Sequence, residues 1–491
     1  MENLNLAEIH VNQDKTNAKP LWSHQKKALE IATDRFALFF DPGTGKTRTA
    51  IELIKKACKI TDNLNKQVRV LIFAPLTVCR NWEREIEEYL GAVSVTVVGG
   101  QTKTKKLKLL NDYNRDRLGI NILVGNIELL RSKDYRDLLA KCGAHFVIVD
   151  ESHNFRSPTS LQTKGLFDVV ESLNPFYLYL LTGTPAPQGE IDLWSTFKLL
   201  KKTKDNFFVW RRRYFVDKNE RQRGTDNYWP DYTVTDSAKA VFKQMLSECS
   251  LTAKRDDVLD LPPLLHTTIY SELGAAQRRH YETMLEYLFA IDAEGNELNA
   301  SNILTRTLRL QQLIAGHLGE TPIAENLRLD ALTDAIELTN DEQFIVWTIF
   351  KPTYRDIAKQ LIDSGITKFG TISGEQTASA RQELIDEFQA GKLRALIAHP
   401  RAGGVGINLT AASYSIHYSR GYSLVDDMQA EARNYRGGSE IHKTITRIDI
   451  VSPNTIDEDI LEALKKKKSA QDFMLGIKAN FMLGIKAKYE R

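Results

Sequence analysis

The segment at 41–47, DPGTGKT, has the residue types and spacing of a loop that binds phosphate. It follows an apolar, strand-like run and precedes a helix-like run, which is the context such a loop requires. Its glycines let backbone amides turn towards phosphate oxygens at a helix N-terminus. A strict match has glycine where Phe40 stands, so an ordinary glycine-rich turn is the alternative. We predict an ATP site with magnesium formed by Pro42, Gly43, Thr44, Gly45, Lys46 and Thr47.

The roles within this loop follow from side-chain chemistry. Lys46 would reach the β- and γ-phosphates, and the hydroxyl of Thr47 would hold magnesium. A second group of polar residues follows the apolar run at 146–150, in the sequence VIVDESH. The carboxyl ends of parallel strands are where open α/β sheets bind ligands.

This second group has the residues that hydrolysis of a phosphoanhydride needs. Asp150 would ligate magnesium, and Glu151 would orient and deprotonate the attacking water. His153 lies two residues further along the same edge. Acidic pairs are common in loops, so this pair is informative only because a phosphate loop accompanies it. The sequence thus predicts ATP hydrolysis, with Lys46, Asp150, Glu151 and His153 at the site.

Arginines form a third candidate group, in QAEARNYRGG at 429–438. Gln429, Arg433 and Arg436 are spaced four and three residues apart, which would place them on one face of a helix. Such a face is commonly just solvated. The alternative is a catalytic arginine supplied by a second lobe, which in related hydrolases accelerates the reaction by roughly 10³ to 10⁵. Hydrolysis would then depend on lobe closure.

The elements that must position these groups are indicated by two series of short apolar, β-branched runs. Strand-like runs alternating with helical stretches predict parallel sheets with crossover helices. The stretch from about 190 to 325 is instead charged, aromatic and helix-like. We expect an α/β protein with two lobes and a helical insertion between them. The first series lies at 35–40, 68–74, 93–98, 120–124, 146–150 and 176–181, and the second at 344–350, 369–373, 394–400, 414–419 and 444–452.

Composition bounds the class of protein. The 491 residues are 42% hydrophobic and 26% charged with net charge +3, typical of a globular protein of several domains. No apolar run approaches the ~18 residues of a membrane span, and the first residues do not resemble a signal peptide. The four cysteines lie far apart without a C-x-x-C pair, which argues against zinc or disulfides. We therefore expect no membrane association and a cytoplasmic location.

Together these motifs resemble those of superfamily 2 helicases, and further segments narrow the resemblance to the Swi/Snf family of ATPases. LWSHQKKAL at 21–29 is similar to the family's adenine-binding segment, and LTGTPAPQ at 181–188 to its coupling motif. The family's interlobe linker resembles LTAKRDDVLDLPP at 251–263, and the motif before its arginines resembles RAGGVGINLTAAS at 401–413. Its closing brace helix resembles TIDEDILEALKKKK at 455–468. The resemblance covers about 20 to 475, and His399 and Pro400 depart from it.

The resemblance implies two RecA-like parallel-sheet lobes in tandem. Gln25 would then read the adenine base, and Gln429 would also belong to the nucleotide site. The expected domains are 1–190 for the first ATP-binding lobe, 191–325 for the helical insertion and linker, 326–455 for the second lobe, and 456–491 for the brace helix and tail. The tail repeats FMLGIKA at 473–479 and 481–487, and this duplication suggests no function.

The resemblance also implies that DNA crosses both lobes and is held mainly through its phosphates. Small residues and exposed amides suit such sequence-independent contacts. Ordinary loop residues are the alternative at each position. The predicted contacts are Pro75, Thr77, Ser373, Gly374, Gly403, Gly404, Asn408 and Thr410.

A basic segment provides a further candidate DNA surface. Residues 198–223 carry ten lysines or arginines against three acids, with interleaved aromatic residues. Cations could contact the backbone and rings could stack, so Arg211, Arg212 and Arg213 are predicted to bind DNA. The alternative is an amphipathic helix that buries its rings and solvates its charges.

We therefore expect an ATP-dependent translocase that acts as a monomer on double-stranded or branched DNA. By analogy, we expect it to act in replication, recombination or repair, for instance in branch migration or fork remodelling in a bacterium or phage. Proteins of those processes would be its partners. One alternative is a single-strand or RNA-directed helicase of the same superfamily. Another is an ATP-gated module that binds DNA or a polymerase without translocation.

Overall fold

Two compact units make up the chain, Met1–Leu259 and Asp260–Arg491. The computed structural model describes residues 20–60, 67–91, 93–115, 119–187, 189–222, 231–293, 300–323, 325–374, 376–401 and 407–466. Gly403, Gly404, Arg223 and the repeated tail lie outside these residues.

The first unit is built on a parallel sheet. Its strands are β1 (Arg35–Phe40), β2 (Gln67–Ala74), β3 (Ser94–Val97), β4 (Gly119–Asn126), β5 (Phe146–Asp150), β6 (Tyr177–Leu181), β7 (Phe215–Asp217), β8 (Tyr232–Val234) and β9 (Ser250–Ala253). The main sheet has the order β3-β4-β2-β5-β6-β1-β9, and its neighbours pair in parallel. β7 and β8 form a separate antiparallel pair. The first predicted series of strands is confirmed.

Helices cover this sheet because they carry apolar faces. In α3, for example, Cys79, Trp82, Ile86 and Leu90 are buried at the three- and four-residue spacing of one helix face. The helices of the unit are α1 (Ser23–Ile31), α2 (Lys46–Ile60), α3 (Cys79–Leu90), α4 (Lys103–Tyr113), α5 (Lys133–Leu139), α6 (Leu161–Leu173), α7 (Leu193–Leu199), α8 (Phe207–Tyr214), α9 (Asp236–Cys249) and α10 (Arg255–Val258).

The central strands are buried on both faces, as a covered parallel sheet requires. Every residue of β5 is buried, and in β1 all but the first residue are. Because β5 and β1 lie on either side of β6, their carboxyl ends reach the same edge of the sheet. That edge carries both the 41–47 segment and Asp150.

An aromatic core organises the residues after β6. Trp210 is fully buried and its ring stacks on Phe242 at 5.3 Å, with Phe197 and Phe215 packed around the pair. Helix α8 therefore buries its central ring against α7 and α9, as an amphipathic helix does. For Trp210 and Phe215 the idea of rings available to stack on DNA bases is wrong, because the unit's own core uses them.

The second unit is also a parallel α/β sheet. Its strands are β10 (Leu264–Tyr270), β11 (His317–Leu318), β12 (Thr321–Pro322), β13 (Phe344–Trp347), β14 (Phe369–Ile372), β15 (Ala395–Ala398), β16 (Tyr414–His417) and β17 (Ile445–Val451). The main sheet has the order β10-β17-β16-β13-β15-β14, again with parallel neighbours. The helices are α11 (Ala275–Ala293), α12 (Ala300–Ile314), α13 (Arg328–Glu337), α14 (Thr353–Asp363), α15 (Ala378–Gln389), α16 (Leu424–Glu431) and α17 (Ile456–Lys465).

The fold is thus α/β with two parallel-sheet lobes in tandem, as predicted. The segment 191–325 contributes to both units, because β9 extends the first sheet beside β1 and β10 extends the second beside β17. The domain boundaries given above stay a prediction. Among the residues that the structure describes, no helix is both long and apolar enough to cross a bilayer.

Buried ion pairs fix helices to the second sheet. Arg328 at the start of α13 is 2% exposed and pairs with Asp457 of α17 at 2.8 Å. Arg447 of β17 donates to Asp427 of α16 at 2.8 Å, which ties that helix to the sheet. Burial acts against the charge of Arg447, but Asp449 and Asp427 outweigh it and raise its pKa.

Candidate nucleotide site

The 41–47 segment forms the turn between β1 and α2. Gly43 and Gly45 have φ of 86° and 78°, a region that favours glycine, and α2 begins at Lys46. Nζ of Lys46 donates to the carbonyl of Phe40 at 2.8 Å, and the hydroxyl of Thr44 donates to the carbonyl of Asp41 at 2.7 Å. The turn therefore has the strand, glycine loop and helix N-terminus of a phosphate site.

Helix α1 packs directly on this turn. Nε2 of Gln25 donates to the carbonyl of Gly45 at 3.2 Å, while its Oε1 accepts from the amide of Trp22 at 2.9 Å. Nε2 of His24 shares a 2.9 Å hydrogen bond with the carbonyl of Thr44. A Cβ on Gly45 would stand 2.4 Å from Nε2 of Gln25. The segment that is expected to bind adenine is thus held against the phosphate loop, and a base-reading role for Gln25 stays a prediction.

Asp41 connects the same turn to the end of the first unit. Its amide donates to the carbonyl of Ala253 in β9 at 3.0 Å. Its Oδ2 accepts from the amide of Arg255 at 3.0 Å, at the start of α10. The chain therefore leaves the first unit from a position fixed by the phosphate loop, a link that the sequence pattern did not reveal.

Asp150 lies at the end of β5 with both carboxylate oxygens engaged. Oδ2 accepts from the indole of Trp82 at 2.9 Å, and Oδ1 accepts from the amide of Glu151 at 2.9 Å. Burial, followed by the charge of Glu151, raises the pKa of Asp150 to about 6, while Trp82 and Lys46 act in the opposite direction. Lys46 begins the helix that follows β1 and Asp150 ends β5, so the structure places the two predicted residues at the same edge of the sheet.

Glu151 adopts an uncommon backbone conformation. Its φ of 47° and ψ of 50° are left-handed, which costs a non-glycine residue about 1–3 kcal/mol. Its carbonyl accepts from both the amide and the side chain of Asn154 at 2.9 Å. Its Oε2 lies 3.1 Å from Nδ1 of His153, which is also 3.0 Å from Oγ1 of Thr182. The pair Glu151–His153 is therefore joined to the predicted coupling motif at 181–188.

The oxygen donors here suit magnesium. Thr47 supplies a hydroxyl and Asp150 a carboxylate, which are hard ligands, and Mg²⁺ commonly uses one or two carboxylates with waters and substrate phosphates. Within the described ranges no cluster of three or more His, Cys, Asp or Glu could hold a metal by itself. The residues present fit an ion that arrives with a nucleotide.

The predicted arginine helix is wrong in its extent. Gln429 lies in α16, but this helix ends at Glu431, so Arg433 and Arg436 do not share its face. The amide of Arg433 bonds to the carbonyl of Ala430 at 3.1 Å, in a tighter turn, and its own carbonyl accepts from Leu409 at 2.9 Å. The regular helix therefore ends before Arg433, whose carbonyl bonds to an earlier segment of the chain. Both arginines still lie in the second unit, and their catalytic role stays a prediction.

The predicted DNA contacts of the second unit differ in accessibility. Asn408 is exposed, whereas Thr410 is buried and its hydroxyl accepts from Gln389 at 3.3 Å. Ser373 follows β14, and its amide donates to the side chain of Gln376 at 3.2 Å. Gly374 is exposed and a Cβ there would meet nothing. Ser373 and Gly374 directly follow the end of β14, and Thr410 has the least accessible side chain of the described candidates.

In the first unit, Pro75 and Thr77 lie in the turn that joins β2 to α3. The amide of Val78 donates to the carbonyl of Pro75 at 2.9 Å, and Leu76 between them is 48% exposed. The turn leads directly into α3, whose first residue is Cys79. It is therefore an accessible surface turn joined to a helix whose apolar face is buried.

The three arginines of α8 have different surroundings. The guanidinium of Arg211 lies 4.0 Å from the centre of the Tyr232 ring. Arg213 pairs with Asp205 at 2.8 Å, while Arg212 is exposed. Arg212 is consequently the most accessible cation of the three, and DNA binding by this helix stays a prediction.

Fold and site together define a nucleotide-binding protein with two parallel-sheet α/β units and a phosphate loop in the first. The family model described as SNF2-related domain matches residues 30–317, and that of the helicase conserved C-terminal domain matches 327–438. Since the first match spans more than half of the sequence, the chain belongs to the SNF2-related family. The predicted family is confirmed.

Relatives and solved structures are similar over most of this chain. An "Uncharacterized ATP-dependent helicase" of Mycoplasma pneumoniae is 27% identical over 405 residues, covering 81% of this chain and 36% of the relative. Human chromodomain-helicase-DNA-binding protein 1 is 24% identical over 420 residues, 81% of this chain and 23% of the relative. The chain thus spans about a third or less of these relatives. A Sulfolobus solfataricus SWI2/SNF2 ATPase core in complex with dsDNA has 22% identity, a TM-score of 0.42 and 91% coverage of both chains.

Proposed function

We propose that this chain hydrolyses ATP with magnesium and uses the energy to translocate along double-stranded DNA. The observation that carries the proposal is the placement of Lys46, Asp150 and Glu151 at one sheet edge, beside a glycine turn at a helix N-terminus. Membership of the SNF2-related family supports it, because relatives with this domain are named ATP-dependent helicases.

Each residue of the site has a task in γ-phosphoryl hydrolysis. The amides at 43–47 and the Lys46 ammonium would bind the phosphates, exchanging the carbonyl partner of Lys46 for phosphate oxygens. Magnesium held by Thr47 and Asp150 would neutralise charge on the β- and γ-phosphates. Glu151 would take a proton from the attacking water, with its carboxylate held by His153, whose ring is in turn hydrogen-bonded to Thr182.

Two observations support DNA as the polymer along which the protein moves: accessible backbone in the first and second units, and the name of a relative. The turn at 75–78 and Gly374 offer accessible backbone at strand ends, which suits contacts to phosphates of any sequence. A human relative is named as a DNA-binding helicase. We extend the proposal to branched DNA in replication, recombination or repair, with the chain acting as a cytoplasmic monomer.

The deciding experiment compares nucleic acids as activators of ATP turnover. Duplex, forked and four-way-junction DNA, single-stranded DNA and RNA are each titrated against the ATPase rate. A triplex-displacement assay on duplex DNA then measures translocation. We expect duplex DNA to stimulate turnover and the triplex strand to be released only with hydrolysable ATP.

The alternatives give different results in the same assays. Stimulation by single-stranded DNA or RNA but not by duplex DNA would identify a single-strand or RNA-directed helicase. Nucleotide and DNA binding without turnover would identify an ATP-gated binding module. Either result would overturn the proposal.

A further inference from the structure

Trp82 connects the surface turn at 75–78 to the interior of the nucleotide site. It lies in the first turn of α3, which starts at Cys79 directly after that turn. Its indole is 1% exposed, and the indole N–H donates to Oδ2 of Asp150 at 2.9 Å. A buried donor from one element thus contacts the carboxylate at the end of another.

This hydrogen bond controls the orientation of Asp150. A carboxylate can rotate about its Cβ–Cγ bond, and a donor on each oxygen prevents that rotation. The donor on Oδ1 is the amide of Glu151, the next residue in the chain. Trp82 is the donor that comes from a separate element, so a shift of α3 relative to β5 would reorient the carboxylate.

The helix and the turn are built to move as one body. Val78 bonds back to the carbonyl of Pro75, and the helix follows without an intervening loop. Trp82, Ile86 and Leu90 form the buried face of the helix. A densely packed interior transmits small displacements instead of absorbing them. A ligand that moves the turn therefore moves the Trp82 indole.

We infer that Trp82 is a positioning residue through which DNA phosphates at the 75–78 turn change the affinity of the nucleotide site, by way of Asp150. The inference rests on the proposed function. Its consequence is a reciprocal coupling: DNA alters nucleotide affinity by the same factor by which nucleotide alters DNA affinity.

The test is a binding cycle on the full chain. Affinity for a fluorescent ADP with magnesium is measured with and without saturating duplex DNA, for the wild type, Trp82→Phe and Trp194→Phe. Phenylalanine keeps an aromatic ring at 82 but lacks the N–H. Trp194 is the matched control, because it is 6% exposed in the same unit and its indole donates to the carbonyl of Asp205 at 3.2 Å.

We expect DNA to change the wild-type nucleotide affinity by about 5- to 150-fold. In Trp82→Phe this factor should fall towards one, whatever the affinity for nucleotide alone, because the orientation of Asp150 no longer depends on the position of α3. A merely structural role for Trp82 would weaken binding of the single ligands or lower the melting temperature without abolishing the coupling. Trp194→Phe should keep the wild-type factor.

Distinct results overturn the inference and the function on which it rests. A wild-type coupling factor in Trp82→Phe, or an equal loss in Trp194→Phe, overturns the inference alone. A wild-type chain that binds nucleotide but no duplex DNA overturns the proposed function as well. If Trp82→Phe does not fold, hydrogen exchange of the wild type decides: DNA without nucleotide should alter exchange at 148–152, and unchanged exchange contradicts the inference.

Discussion

Oε2 of Glu151 lies 3.1 Å from Nδ1 of His153, and both side chains are buried. The same ring nitrogen is 3.0 Å from the hydroxyl of Thr182, which follows β6. The residue proposed as the general base is therefore held by a neighbour in its own motif and by a second strand end. Its left-handed backbone, with φ of 47°, makes that support necessary.

The first prediction concerns this support. His153→Ala removes the group that orients the Glu151 carboxylate, and misplacement of a catalytic group by about 1 Å can cost about 10²-fold. We expect kcat to fall by about that factor, with less change in the affinity for ATP. Steady-state ATPase kinetics on duplex DNA measure both. Glu151→Gln gives the full loss for comparison, and the exposed Glu171→Gln should be unaffected.

The second prediction separates nucleotide chemistry from DNA binding. Lys46→Ala removes the ammonium expected to bind the β- and γ-phosphates, so turnover should be abolished while duplex DNA binding is largely retained. Lys55→Ala is the control, because Lys55 lies in the same helix and pairs with Glu52. ATPase and gel-shift assays decide. Undiminished turnover in Lys46→Ala would contradict the assignment of the 41–47 segment as the ATP site.

The third prediction tests the close approach of α1 to the phosphate loop. Gly45→Ala would place a Cβ 2.4 Å from Nε2 of Gln25, at a φ of +78°. Gly91→Ala has a similar φ of +83° but meets nothing within 4 Å. Both should lose folding free energy, on the order of 1–3 kcal/mol, because each glycine has a positive φ that an L residue rarely adopts.

Only the first of these variants should also lose nucleotide binding, because Gln25 and the loop must separate. Urea denaturation and binding of a fluorescent ADP measure the two effects. Equal nucleotide affinity in the two variants would show that the Gln25 contact does not shape the site.

The strands could be predicted because each is a short apolar run with a polar end. In β5 the run FVIVD predicted both the strand and the exit of Asp150 at its carboxyl edge, and the structure has the strand at Phe146–Asp150. The phosphate loop could be predicted equally well, since its glycines and Lys46 lie within four successive residues. Local pattern and local structure agree at these positions.

Long-range contacts could not be predicted from local sequence patterns. Periodicity placed Arg433 and Arg436 on a helix face, but the carbonyl of Arg433 bonds to Leu409, a contact that no local spacing contains. Trp82 was missed for the same reason: its three- and four-residue spacing from Ile86 indicates only a buried helix face. Its hydrogen bond to Asp150, 68 residues away, depends on how α3 packs against the sheet.

The fourth prediction concerns the buried pair in the second unit. Arg328→Met leaves Asp457 buried without its cation, and such a break costs about 3–5 kcal/mol. Arg394→Met breaks a pair with Asp341, whose side chain is 93% exposed, and should cost no more than about 1 kcal/mol. Urea denaturation followed by circular dichroism compares them. Similar stabilities of the two variants would contradict the prediction that the buried ion pair contributes more to folding than the exposed one.

The last prediction is a dependence of stability on pH that arises from His417. Burial, followed by the charge of Arg447, lowers the pKa of His417 to about 3. The unfolded chain binds a proton at this residue below about pH 6.5, whereas the folded chain does not. The contribution of His417 to stability therefore falls as the pH decreases from about 6.5 towards 3, by up to about 1.4 kcal/mol per pH unit.

His417→Leu should remove this contribution, so its folding free energy should fall less steeply than that of the wild type between about pH 6.5 and 4.5. Asp449 does not obscure the comparison: although burial favours its protonation, Arg420 and Arg447 hold its pKa below the usual range of a carboxyl. Its effect is thus confined to more acidic conditions. Parallel stability curves for the two proteins in urea denaturation across this window would show that His417 is protonated in the folded state.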